Sequence, residues 1–181
     1  MSIPNLITLA RLLSVPVIIW LILAGALRPA MVLFALAGLS DAADGFIAKR
    51  FNQRSALGAL LDPIADKVML VSMFVTLGLA DHLPDWLVIL VVFRDCMIIG
   101  GFLFWTALGQ RISWEPLMIS KVNTAAQICL IGVTLGRLSF GVYDYDLGLA
   151  LTYLVGATTL VSGGAYLVRW ARTLARAEIS P

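Results

Sequence analysis

Six stretches of this chain are each about as long as a bilayer is thick, and each is predominantly apolar. They run Pro4–Leu27, Pro29–Lys49, Ala56–Ala80, Pro84–Leu108, Leu117–Gly136 and Leu147–Arg169. A hydrocarbon layer of about 30 Å is crossed by about 20 helical residues. Strands at such sites would leave backbone N–H and C=O groups unpaired in lipid, so each segment is expected to be a helix. Composition agrees. Of 181 residues, 60% are hydrophobic and only 13% charged, too few charges to cover a soluble globule. Disorder, a collagen-like chain and a disulfide-stapled secreted module are excluded on the same ground. The expected fold is an all-α integral membrane protein with six transmembrane helices, in a single domain over residues 1–181. Pro4, Asn5 and Arg11 near the start of the first segment predict an amphipathic, interfacial pair of turns before the chain enters the membrane. Pro29, Pro84 and Pro116 stand at segment starts, where proline is tolerated.

The basic residues orient the bundle. Lys49, Arg50 and Arg54 lie in the second connection, Arg111 and Lys121 around the fourth, and Arg169, Arg172 and Arg176 at the C-terminal end. The opposite connections hold Arg28, then Asp81, His82 and Asp85, then Arg137 with Asp144 and Asp146. The Lys/Arg bias places both termini in the cytoplasm. A basic leader and a small-residue cleavage site are missing, so the first segment is expected to be a retained helix. A net charge of +2 gives no case for nucleic-acid binding. Cys96 and Cys129 sit in apolar runs and are expected to be buried. His82 is expected in a solvated loop.

Of the 11 acidic residues, four crowd a short stretch: Asp41, Asp44, Asp62 and Asp66. The first two are i, i+3 and the last two i, i+4, so each pair shares a helix face. With a rise of 1.5 Å per residue, Asp41 lies about 14 Å along the second helix from its basic end, and Asp66 about 15 Å along the third. The two pairs therefore reach similar depths in the inner leaflet. Ala42, Ala43, Phe46, Ile47, Leu60, Leu61, Ile64 and Ala65 interleave them, which argues against a solvated loop with incidental acids. A carboxylate at the bilayer centre costs about 2.5–3.5 kcal/mol on insertion scales, and four of them repel one another. Lys67, Lys49 and Arg50 offset part of this, but no internal base matches each acid. Hard divalent cations would; oxygen-only ligation suits Mg²⁺ or Mn²⁺. A proton relay or ion pathway is a second reading of the same acids. Gly45, Ala48, Gly58 and Ala59, one turn from the acids, allow close helix packing or let a nucleotide diphosphate approach the backbone.

Read as one string, Asp41-Ala-Ala-Asp44-Gly45-Phe-Ile-Ala48-Lys49, eight residues, Gly58, three, Asp62, three, Asp66 resembles the D-x2-D-G-x2-A-R-x8-G-x3-D-x3-D signature of the CDP-alcohol phosphotransferases. The departure is Lys49, where that family usually has Arg; lysine keeps the charge and loses the bidentate fork. The resemblance implies a six-helix membrane fold, a homodimer, two divalent cations (Mg or Mn), and a reaction in which an alcohol displaces CMP from a CDP-linked lipid. It implies Asp41, Asp44, Asp62 and Asp66 as metal ligands, Asp66 also as the general base, and Gly45, Ala48, Lys49, Gly58 and Asn5 as the CDP-diacylglycerol site.

Within that family, the Ile3–Arg11 segment is similar to the phosphatidyl-transferring branch. Asn52–Gly58, Leu61–Lys67 and Ile119–Gln127 look closest to the CMP-forming cardiolipin synthases, whose acceptor is phosphatidylglycerol. The sister synthases that use glycerol 3-phosphate tend to carry Gly-Lys-x-Lys-Thr where this chain has Ser120-Lys121-Val122-Asn123-Thr124. One cation beside amides suits a monoanionic lipid diester better than a dianion. Arg94, Lys121 and Asn123 are the expected acceptor-binding residues, with Lys121, Asn123 and Gln127 taken to share one face. Arg94-Asp95 is alternatively a self-paired structural couple. The expected partners are the two lipids, the membrane and a second copy of the chain. The expected home is a bacterial inner membrane ahead of a mitochondrial one, with the active site facing the cytoplasm. Glycerol 3-phosphate as acceptor and an ion- or proton-coupled transporter stand as alternatives.

Overall fold

A backbone that must satisfy its own polar groups takes one form throughout the described residues. Helices α1 (Ile3–Leu23), α2 (Leu27–Phe51), α3 (Ala56–Leu79), α4 (Asp85–Ala107), α5 (Met118–Phe140) and α6 (Tyr145–Ile179) follow one another, with no strand among the described residues. The computed structural model describes the backbone of residues 3–51, 56–107, 117–141 and 145–179, and the side chains of residues 8–40, 65–104, 106–107, 117–141 and 146–173. The expected interfacial turns are continuous with the rest of α1, which carries Pro16 in its interior. A proline there removes one backbone hydrogen bond, which membrane helices tolerate when neighbours re-satisfy the freed carbonyl.

Two helices end by the same device. After α1, Gly25 takes a positive φ of 72°, Gly25 N–H donates to Ile22 O at 3.0 Å, and Ala26 N–H to Leu21 O at 2.8 Å. After α3, Asp81 (φ 56°) donates to Gly78 O at 2.9 Å and His82 to Leu77 O at 2.8 Å. Both are Schellman caps, in which a left-handed residue turns the chain back onto carbonyls the helix leaves open. Asp81 occupies a position that glycine favours and that Asp is among the few other residues to tolerate.

Among the described residues three helices are long and apolar enough to cross a membrane: Asp85–Phe104, Met118–Phe140 and Asp146–Thr173, with mean hydropathies of 2.3, 1.3 and 1.4. Thr8–Leu23 and Leu27–Ser40 are shorter apolar helices. The apolar side chains divide by face. On α1, Val15, Ile18 and Ile22 are buried while Leu13, Val17 and Trp20 face outward. On α4, Leu87 and Val91 are buried while Ile89, Phe93 and Leu103 are exposed. Rows of exposed large hydrophobics are unfavourable in water and ordinary in lipid. The same logic corrects the expectation for Cys96 and Cys129, both of which are exposed. An apolar run marks a membrane segment, and in such a segment an apolar residue can face lipid as well as the bundle interior. Helix α6 extends ten residues past its expected end, to Ile179. Hydropathy marks where the apolar layer stops; Ala, Arg and Leu beyond it keep the helix going.

The chain divides into two compact units: Met1–Pro84 with Ile131–Tyr145, and Asp85–Leu130 with Asp146–Pro181. In the first, α1 packs on both α2 and α3. Ala30, Phe34 and Ala37 of α2 and Met69, Leu70, Met73, Phe74 and Leu77 of α3 are buried there. Arg28 Nε donates to Ser139 O at 3.0 Å, tying the start of α2 to the end of α5. In the second unit, α4 and α6 run parallel, because contacts advance along both in step. Trp86 sits against the Gly156 site, Arg94 against Gly163, and Gly101 against Trp170. The steps of about two turns repeat one seam, and a glycine admits the indole at each end of it.

This seam yields a paired prediction. A methyl group at Gly101 would collide with the Trp170 ring, whereas one at Gly100 would meet nothing within 4 Å. Gly101→Ala should lower the melting temperature in detergent, at a cost of about 1–3 kcal/mol. Gly100→Ala should be neutral or stabilising, since alanine is favoured over glycine in a helix by about 1 kcal/mol. Equal melting temperatures for the two variants would refute the seam.

Candidate functional site

The first unit holds a buried cation from α1 against an acid from α3. Arg11 is 3% exposed, and its Nη1 donates to Asp66 Oδ1 at 2.6 Å. Asp66 lies at the margin of the buried face, its side chain 39% exposed, next to the buried Ala65 and one turn from Met69 and Leu70. Ser14 Oγ donates to the Arg11 carbonyl at 2.6 Å within the same helix. The sequence alone places Arg11 at the membrane interface. The structure finds it inside, supplying a counter-charge for one of the four acids. A signal was present: a lone arginine in an apolar helix requires a carboxylate, because an unpaired buried charge is costly.

Asp66 is the one member of the acid set whose side chain is described. The backbone is helical through residues 41–51 and 56–66, so the i, i+3 and i, i+4 spacings do fall on helices. The side chains of Asp41, Asp44 and Asp62, of Gly45, Ala48, Lys49 and Gly58, and of Asn5 lie outside the described residues.

The second unit is organised around Arg94 and Asp95. Both are buried, 2% and 1% exposed. Arg94 Nη1 donates to Asp95 Oδ1 at 2.6 Å. Its Nη2 donates to Ser120 Oγ of α5 at 2.6 Å and also to Ser162 Oγ of α6. The guanidinium carbon stands 6.0 Å from the centre of the Tyr166 ring, within reach of a cation–π attraction. One guanidinium thus joins α4, α5 and α6. The self-paired couple described from sequence is present, extended by two serines and a tyrosine that sequence reasoning did not single out. A direct acceptor contact through Arg94 would require this network to open.

Asn123 and Gln127 are fully buried on α5, whereas Lys121 is exposed. The single face expected for all three is therefore corrected. Residues 123 and 127 are one turn apart, but 121 is about 200° around the helix from 123. Asn123 Oδ1 accepts from Thr158 Oγ1 at 2.8 Å and Thr159 Oγ1 at 2.9 Å, both of α6. A second feature lies near the basic end of α6. A groove of about 600 Å³ is lined by Leu117, Gly164, Ala165, Val168, Arg169, Arg172 and Thr173. Two arginines beside an apolar wall suit an amphiphilic anion. From sequence these arginines served only to orient the bundle; their spacing of three residues was the available hint.

The family model for CDP-alcohol phosphatidyltransferase matches residues 1–163. A probable cardiolipin synthase (CMP-forming) of Drosophila melanogaster is 35% identical over 93% of this chain and 57% of its own length. A chloroplastic CDP-diacylglycerol–glycerol-3-phosphate 3-phosphatidyltransferase of rice is 34% identical, over 94% of this chain and 57% of its own. A bacterial enzyme with the latter activity in its name, from Salmonella choleraesuis, is 36% identical over 92% of this chain and 93% of its own. The chain belongs to the CDP-alcohol phosphatidyltransferase family. It spans little more than half the length of the fly and rice relatives. Relatives of similar identity carry two different activities in their names.

The Arg94 network makes a prediction about stability. Arg94→Met leaves Asp95 charged and buried without its guanidinium, which should destabilise the protein by about 3–5 kcal/mol. Arg94→Met combined with Asp95→Leu removes both charges and should recover much of that loss. Thermal unfolding in detergent checks this; additive losses would show that the two residues do not act as a pair.

Proposed function

We propose that the chain is a membrane-embedded transferase that moves a phosphatidyl group from CDP-diacylglycerol to phosphatidylglycerol, forming cardiolipin and CMP. The observation that carries the class is the family match across residues 1–163, which contains the complete acid string. The free glycerol hydroxyl oxygen of phosphatidylglycerol attacks the phosphorus next to diacylglycerol. The bond from that phosphorus to the oxygen of CMP breaks, CMP leaves with the bond's electrons, and the hydroxyl proton passes to Asp66. In-line displacement of this kind depends chiefly on positioning and charge stabilisation.

The donor set fits divalent metal: four carboxylates, no soft ligand in the string, and helical backbone under both pairs. Asp41, Asp44, Asp62 and Asp66 would hold two cations, Mg²⁺ or Mn²⁺, which neutralise the diphosphate when bound. Gly45, Ala48, Gly58, Lys49 and Asn5 would receive the nucleotide and diphosphate. The reading includes six membrane spans with both termini and the active site on the cytoplasmic side, a bacterial inner membrane, and a homodimer.

Two features favour a monoanionic lipid as acceptor. Asn123 stands where a second lysine would serve a dianion, and it is buried as an acceptor for Thr158 and Thr159. Lys121 is therefore the cation that the start of α5 presents. The groove at Arg169 and Arg172 joins charge to an apolar wall, as a lipid phosphodiester requires. Glycerol 3-phosphate is the second reading, favoured by the names of the rice and Salmonella relatives.

Chelation should abolish CMP release and added Mg²⁺ or Mn²⁺ restore it; full turnover in excess chelator would refute the metal assignment. Asp66→Asn should reduce turnover by about 10²–10⁴-fold, the usual contribution of a general base, and should cost more in turnover than in donor binding. The acceptor is decided by supplying phosphatidylglycerol and glycerol 3-phosphate together with labelled CDP-diacylglycerol. Cardiolipin is expected as the main product. Dominant phosphatidylglycerophosphate would overturn the acceptor and leave the class of chemistry standing.

A further inference from the structure

Asp66 is asked to do something a half-exposed carboxylate does poorly: hold one orientation. Its side chain is 39% exposed, while that of Arg11 is 1% exposed. The arginine is thus enclosed by its surroundings, and the aspartate stands at their margin. A charge-assisted bond of 2.6 Å joins Nη1 to Oδ1, and bonds of this kind are both short and directional. The helices beneath it are packed together. Val15, Ile18 and Ile22 of α1 and Met69, Leu70 and Met73 of α3 are all buried, so the distance the guanidinium must reach is set by the core.

We infer that Arg11 is a positioning residue for Asp66: from within α1 it fixes the carboxylate plane so that the base meets the attacking hydroxyl in one geometry. This rests on the reading of Asp66 as the base. A side chain only 1% exposed is closed off from the donor's diphosphate, so Arg11 acts through Asp66 and not by touching substrate. A base held in place raises the rate of the chemical step without adding substrate binding. The role therefore belongs in kcat and not in the KM for the donor.

The test is a double-mutant cycle on the full chain, purified in detergent with saturating Mg²⁺ and assayed by CMP release from CDP-diacylglycerol and phosphatidylglycerol. Turnover is expressed per monodisperse protein by size exclusion. Arg11→Met should lower kcat about 10- to 100-fold, the scale of loss expected from a small misplacement. The KM for CDP-diacylglycerol should stay within about twofold, as expected when only the transition state is affected. Arg11→Lys keeps charge and loses the planar fork, so its kcat should fall between wild type and Arg11→Met. Arg11→Met with Asp66→Asn should be no slower than Asp66→Asn alone, because the two substitutions remove one function. Multiplicative losses in the double variant, or a loss confined to KM, would overturn the inference. So would wild-type kcat in Arg11→Met, or in Arg11→Lys if only the lysine variant folds. The failures are distinguishable. Wild-type turnover in Asp66→Asn removes the base and the role of Arg11 with it; an impaired Asp66→Asn beside a fully active Arg11→Met removes Arg11 alone.

Discussion

A guanidinium taken out of water must be met by a carboxylate, and each compact unit of this protein holds such a pair among the described residues. In the first, Arg11 of α1 meets Asp66 of α3. In the second, Arg94 meets Asp95 and two serine hydroxyls from neighbouring helices. Apolar packing alone specifies helix pairs weakly in a membrane, since lipid tails are as apolar as the side chains they replace. A buried guanidinium supplies direction: a shift of α1 against α3 would part Arg11 from Asp66, and a shift of α5 or α6 would take a serine hydroxyl from Arg94. Such pairs contribute modestly to net stability, yet breaking one by removing a partner is expensive. Their value here lies in fixing which residues face each other.

The glycine and aromatic residues of the second unit do the complementary work. The Trp86–Gly156 and Gly101–Trp170 contacts set the register of α4 against α6 at both ends, and Arg94 sets it in the middle. Trp86 also stacks on Tyr153, with ring centres 6.0 Å apart. Asn123, held by Thr158 and Thr159, adds α5 to the same lattice. Residues near the start of α5 are thereby divided between a buried framework and an exposed Lys121. A substitution at Asn123 reports on the framework as well as on any acceptor, whereas one at Lys121 reports on the exposed face.

The acid string and its placement on helices were legible because they are local. Spacings of three and four residues have meaning on any helix, and four acids amid alanine and isoleucine are unexpected in a membrane segment without a ligand. The pairing of Arg11 with Asp66 was not legible, because 55 residues separate them and nothing in periodicity says which helix packs on which. Gln127 shows a related limit. The sequence marked it as polar on a membrane helix, but only the packing reveals that its amide is fully buried and makes no hydrogen bond to a described residue.

By itself the sequence determined the all-helical form, the apolar segments, the family and the helical placement of the acids. Each of these follows from hydropathy, from the absence of water as a backbone partner, or from spacing along one chain. The tertiary structure decided which apolar side chains and cysteines face outward, that α4 and α6 run in step, and that Lys121 and Asn123 part company. It also decided that Arg11 lies against Asp66. The reason is the same in each case. A one-dimensional pattern fixes a residue's angle around its own helix, but the neighbour at that angle is chosen by packing between segments far apart in the chain.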